Sequence, residues 1–184
     1  LDFSHVTSFR QMFWECTSLT SITFPEGPLD TGKVTDMNGM FYDCSHITSL
    51  DVSGLDTSAT EDMKDMFCRC YILEKLDVSH FDTGKVKDMS YMFFCCRKLE
   101  ALDVSGFKTG NVTSMLEMFG ECNLLKELDI SGFDTGEVRS FAAMFTGCKL
   151  LESLDVSGFK TSNSASFSSM FKECTSITQA RRYP

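Results

Sequence analysis

The 184-residue chain carries 26 carboxylates against 17 Lys+Arg, a formal charge of −9, and its residues are 42% hydrophobic and 23% charged. This is the balance of a folded chain, and it argues against electrostatic docking on nucleic acid or anionic membrane, which needs clustered basic residues. No run approaches the roughly 20 apolar residues that cross a bilayer.

In chain order, the first recurring sign is Met12-Phe13 with Cys16 three residues on. The same signature returns at Met40-Phe41/Cys44, Met66-Phe67/Cys70, Met92-Phe93/Cys96, Met118-Phe119/Cys122, Met144-Phe145/Cys148 and Met170-Phe171/Cys174. The spacing is 28 residues once, across the Pro25-Glu26-Gly27-Pro28 insertion, and 26 thereafter. A fixed period of this length is the mark of a solenoid, in which no unit buries its apolar face alone. Residues 1–184 therefore read as one repeat domain of six to seven units. The chain opens inside a repeat, at Leu1-Asp2-Phe3-Ser4, with no secretion signal, so flanking sequence is expected to have been removed.

Within one unit, residues 99–124, Leu102 and Val104 alternate with Asp103 and Ser105, the pattern of a half-exposed strand. Gly106, Thr109, Gly110 and Asn111 supply turn chemistry. Val112, Met115, Met118, Phe119 and Cys122 then fall at helical spacing, predicting a short amphipathic helix capped by Thr109 or Asn111. The expected fold is an α/β, leucine-rich-repeat-type solenoid. Each 26-residue repeat contributes one short parallel strand to the concave side and one short helix to the convex side.

Residues Leu99, Leu102 and Val104, together with the strings LDVSGL at 50–55, LDVSHF at 76–81, LDVSGF at 102–107, LDISGF at 128–133 and LDVSGF at 154–159, carry a resemblance. The chain resembles the BspA-like leucine-rich repeat family, the 26-residue bacterial surface-protein repeat, over roughly residues 1–178. It departs from many leucine-rich repeats in having Gly or His, not Asn, before the strand-end Phe. The resemblance implies cell-surface or secreted proteins acting in adhesion and host or matrix binding. It implies no catalytic residues and no cofactor.

The polar residues of the strands are the candidate binding surface: Asp51, Ser53, Asp77, Ser79, Asp103, Ser105, Asp129, Ser131, Asp155 and Ser157. Stacked carboxylates repel, so their pKa values should rise unless something compensates. One reading has each Asp accepting hydrogen bonds from nearby Ser hydroxyls or backbone N–H groups. The other is an acidic groove for a basic or hydroxyl-rich partner, with calcium left open but not favoured. A second column, Thr31, Thr57, Thr83, Thr109, Thr135 and Thr161, is assigned turn and cap duty in preference to ice binding.

Seven of the nine cysteines belong to the repeat and are expected to pack as small apolar residues, unbridged across helices 8–10 Å apart. Cys68 and Cys95 lie outside the ladder and are expected to be exposed free thiols in preference to a bridge; no metal site is expected. His5, His46 and His80 fall in different registers and form no catalytic cluster. The first unit, with Trp14, Thr23 in place of the strand Asp and the Pro25–Pro28 insertion, and the last, with Ser164 in place of Val and polar residues to Arg182, read as ends of the array. The function expected is a non-catalytic protein- or glycan-binding module, at the cell surface or secreted. The alternatives are a structural spacer in a larger surface protein and, given the unpaired thiols, an intracellular location.

Overall fold

The computed structural model describes residues 2–24, 27, 29–160 and 165–181, with 179–181 as backbone only. Pro25, Glu26, Pro28, Thr161, Ser164 and Arg182 lie outside the described residues.

Among the described residues four short strands form, β1 (Ser49–Leu50), β2 (Lys75–Leu76), β3 (Ser153–Asp155) and β4 (Gln179–Arg181); the Leu-Asp strings at 102–103 and 128–129 form none, so the expected strand in every repeat is not met. β1 pairs with β2 and β3 with β4, both parallel and one repeat apart, as Ser49 opposite Lys75 and Asp155 opposite Arg181. A second parallel ladder runs through Ser8, Asp36, Asp62, Asp88, Ser114, Ser140 and Ser166, one residue per coil. The chain is therefore a solenoid whose coils are hydrogen-bonded to one another at several points around their perimeter.

The expected helix does not form: among the described residues there is none. Between 115 and 122, Met118, Gly120 and Cys122 donate their N–H groups to Met115, Glu117 and Phe119, three residues back, at 3.1–3.2 Å. The N–H groups in between, on Glu117, Phe119 and Glu121, donate instead to Ala142, Met144 and Thr146 of the next coil at 2.6–3.0 Å. The segment is a ribbon of overlapping turns that directs alternate donors to its neighbour. A helix would spend every donor on its own coil.

The turns are closed by positive φ. In each coil the residue before Met and the residue before Cys adopt it, as with Asp65 (φ 59) and Arg69 (φ 62), Tyr91 (φ 60) and Cys95 (φ 63), or Glu117 (φ 50) and Glu121 (φ 59). Each sits third in its turn, where a type II turn demands that sign. The left-handed conformation costs a non-glycine residue about 1–2 kcal/mol, which the bonds to neighbouring coils offset.

Ribbons also stack more closely than helices. Phe13, Phe41, Phe67, Phe93, Phe119, Phe145 and Phe171 form a column with ring centroids 5.5–5.7 Å apart and planes within 4–7°. Leu76, Val78, Phe81, Val86, Met89, Met92, Cys96 and Leu99 fill one coil's share of the core, each at most 8% exposed. Met92 and Phe93 are adjacent yet both buried, which the local winding of the ribbon permits.

Gly39 occupies one of the positive-φ positions (φ 60), and a Cβ there would lie 2.7 Å from the ring of Trp14. Trp14 cannot slide away, because it stacks on Tyr42 with centroids 3.7 Å apart. Other coils accept Asp65, Tyr91 or Ala143 at this register, so ring crowding and not backbone strain demands glycine here. Gly39→Ala is therefore expected to destabilise by roughly 1–3 kcal/mol, the cost of overpacking. It should also shift the emission of the single tryptophan; an unchanged spectrum and melting temperature would contradict this packing.

Candidate functional site

The strand aspartates are exposed, as the alternation required, while Leu50, Leu76, Leu102, Leu128 and Leu154 beside them are buried. Each carboxylate closes a local turn: Ser53, Ser79, Ser105, Ser131 and Ser157 donate their N–H groups to the Oδ1 of Asp51, Asp77, Asp103, Asp129 and Asp155 at 2.9–3.0 Å. The Ser79 and Ser105 hydroxyls add 2.7 Å bonds to the same oxygens.

At Asp51, Asp77 and Asp129 the expected rise does not occur. The Ser53 hydroxyl and N–H hold the Asp51 carboxyl below the usual range, and those of Ser79 do so for Asp77, where a coulombic pull from His80 adds to the effect. At Asp129 the Ser131 N–H is the larger cause. These groups stay anionic through mildly acidic pH. Because the hydrogen-bonded oxygen is Oδ1 in every case, the bonding is repeated in the same geometry from coil to coil.

The face is not flat. Asp77, Ser79, Asp103 and Asp129, with Leu102 and Glu127, line a depression of about 560 Å³ that spans three coils. Asp129 and Asp155 share a second of about 310 Å³, and Asp51 and Ser53 border a third of about 360 Å³ with Thr23 and Phe24. A further depression of about 630 Å³, with Glu74, Lys75, Asp77, Lys98 and Glu100 on its walls, adjoins the first at Asp77. Ser105, Ser131 and Ser157 contribute as partners of their aspartates. Among the described residues, no three His, Cys, Asp or Glu side chains converge as a metal-holding group.

The threonine column keeps the expected turn duty, its carbonyls accepting the N–H three residues on at 2.9–3.1 Å, but not the capping duty. Thr31, Thr57, Thr83, Thr109 and Thr135 are at most 2% exposed, so they cap no helix and present no surface array. Each hydroxyl joins two coils: Thr83 Oγ1 donates to the Lys108 carbonyl at 3.1 Å and accepts the Lys108 N–H at 2.7 Å. Thr31, Thr57 and Thr135 repeat both bonds with Asp56, Asp82 and Lys160. Thr161 is outside the described residues. Asn111, the other expected cap, donates to Gly84 O across the coil boundary at 2.7 Å.

The ladder cysteines do pack inside, but with a polar task that residue spacing does not reveal. The Cys70, Cys96, Cys122 and Cys148 thiols each donate to the carbonyl of the Phe 29 residues earlier, at 3.1–3.3 Å. A thiol is small and apolar enough for this interior and still carries a donor. Burial pushes Cys44 up to about 12 and raises Cys70, Cys96, Cys122 and Cys148 strongly, so these groups remain S–H donors. All nine cysteines are free. Cys68 and Cys95 are buried, at 3% and 5% exposure, which corrects the expectation that they are exposed; burial raises both thiols. With no helix among the described residues, the helix-spacing argument against bridges along the ladder falls, and the thiols' hydrogen bonds to carbonyls take its place.

A second acidic column was missed, although Asp36-Met37, Asp62-Met63 and Asp88-Met89 mark it in the sequence. Asp62 accepts the Lys64 N–H at 2.9 Å and the buried Asn38 side chain at 3.3 Å. Burial chiefly raises its pKa, and the neighbouring Asp36 and Asp88 charges add to the rise. A folded-state pKa above the unfolded one contributes stability at low pH and loses it as pH rises through the folded value. Asp62→Asn keeps an acceptor for Lys64 and removes the charge. It should raise the melting temperature at pH 7 by about 1–3 °C and leave it unchanged near pH 3; a loss at pH 7 would show the carboxylate to be stabilising.

A family model described as "Mycoplasma protein of unknown function, DUF285" matches residues 7–103 and again 95–182. No curated protein matches the chain. A crystal structure of a leucine-rich repeat protein from Bacteroides ovatus aligns with 95% of this chain at 16% identity and a TM-score of 0.39. This chain spans 58% of that protein's length.

Proposed function

The chain belongs to the family described as Mycoplasma proteins of unknown function, DUF285, and we propose that it is a non-catalytic recognition module of the BspA-like kind, binding a protein or glycan across its strand face. The observation that carries this reading is the column of exposed aspartates, each accepting the N–H of the Ser two residues on and bordering depressions that adjoin along the face. Such a surface suits a partner that brings amines, guanidiniums or hydroxyls across several coils at once, since each repeat adds one more carboxylate in the same geometry.

A surface or secreted location fits this function. Free thiols are ordinarily a sign of a reducing compartment, but seven of these nine are buried, and burial raises their pKa values. Oxidation needs the thiolate and access to it, so such a core tolerates an oxidising exterior.

The test begins with a screen of extracellular proteins and glycans. For a ligand so found, Asp103→Ala combined with Asp129→Ala should weaken binding at least tenfold while leaving the melting temperature within a few degrees, both side chains being exposed. Added salt should weaken wild-type binding and have less effect on the variant. Unchanged affinity in the double variant would place recognition elsewhere. A second reading, a spacer within a larger surface protein, is favoured by the coil-to-coil bonding around the perimeter. It gains if no ligand is retained by the strand face.

A further inference from the structure

We infer that Asn111 is an acceptor site for an N-linked glycan. Of the four asparagines, at 38, 111, 123 and 163, only Asn111 is followed at the second position by Ser or Thr, in Asn111-Val112-Thr113. The motif alone is common by chance, and it gains meaning only on an exposed turn of an exported chain. The fold supplies the turn. Asn111 is exposed and follows Gly110 at the edge of its coil, where Val112 N–H closes back onto Thr109 O at 2.9 Å. The equivalent positions of other coils hold Lys33, Lys85 and Glu137, all exposed. This register therefore accepts long and varied side chains, and a bulky group there displaces no core residue.

The native contact survives modification. One hydrogen of the Asn111 Nδ2 donates to Gly84 O at 2.7 Å, and the amide carries a second hydrogen. In the transfer, the side-chain nitrogen forms a bond to the anomeric carbon of a lipid-diphosphate-linked oligosaccharide. That carbon's bond to the diphosphate oxygen breaks, the amide gives up one proton to the transferase's base, and the lipid diphosphate leaves. No electrons change hands, and the remaining N–H keeps the bond to Gly84. Asn111 borders none of the depressions described on the strand face, so a glycan here leaves that face open to a partner.

The inference rests on the reading that the protein reaches the exterior, and its test separates the two. The chain carrying an added secretion signal is translated into endoplasmic-reticulum microsomes. One slower-migrating species is expected, collapsed by an N-glycan-cleaving endoglycosidase, absent in Asn111→Gln and Thr113→Ala, and retained in Thr113→Ser. No slower species, or one that persists in Asn111→Gln, overturns the assignment whatever the native location. External protease applied to cells making the native protein decides the surface reading on its own.

Discussion

Phe93→Ala should lower stability by about 3–5 kcal/mol, the range for emptying a buried phenylalanine site. Phe93 is fully buried, and Phe67 and Phe119 stack on its two faces at 5.7 Å. Its neighbours cannot close the gap by a local shift, because Phe93 N–H is bonded to Met118 O and Phe67 N–H to Met92 O, fixing the spacing of the three coils. At roughly 2–4 °C per kcal/mol for a chain of this length, the melting temperature should fall by roughly 6–20 °C. A stacked array is a chain of nearest-neighbour interfaces, and Phe13 sits in the first coil, only partly buried and with Phe41 as its stacking partner. Phe13→Ala should therefore cost about half as much or less. Equal losses at the two sites, measured by denaturant unfolding, would mean that the column is not the cooperative unit.

Thr83→Val separates shape from hydrogen bonding. Valine fills the same volume, so the packing around this buried side chain is preserved. What disappears is a hydroxyl joined to both the N–H and the carbonyl of Lys108. Leaving two backbone groups unpaired should cost about 2–4 kcal/mol, at roughly 1–3 for each group less what water recovers at this part-buried site. Thr83→Ser keeps the hydroxyl and loses a methyl, for which about 1 kcal/mol is expected. The order Val worse than Ser is the decisive outcome. The reverse order would return the column to a simple packing role.

Both effects bear on the binding surface, because the strand aspartates are aligned only while the coils stay in register. Asp103 and Asp129 make their short-range bonds within their own coils, so nothing in those bonds sets the distance from one carboxylate to the next. The Phe and Thr columns and the ribbon's exported N–H groups set it.

The repeat period, the core positions and the outward direction of the aspartates were legible in the sequence; that a regular strand is absent at Leu102-Asp103 and Leu128-Asp129 was not. Period-2 alternation forces Leu102 and Val104 to one side and Asp103 and Ser105 to the other, whatever lies around them. The candidate site was accordingly readable as a column, with a Ser two residues along from each carboxylate. The depressions that join Asp77, Asp103 and Asp129 were not legible, because they depend on how adjacent coils lie together.

The conformation of residues 112–122 was decided by the tertiary structure alone. Apolar residues at 112, 115, 118, 119 and 122 suit one face of a helix and equally the inner side of a turn ribbon, so hydrophobic spacing cannot choose between them. The choice lies in where the N–H groups of Glu117, Phe119 and Glu121 find acceptors, and those acceptors are 25 residues away in the next coil. The one local sign was glycine, Gly39 and Gly147, at two registers that must take positive φ. The same reason hid the work of Thr83 and Cys96: each is a small buried residue whose hydrogen-bond partner exists only once a second coil has stacked against it.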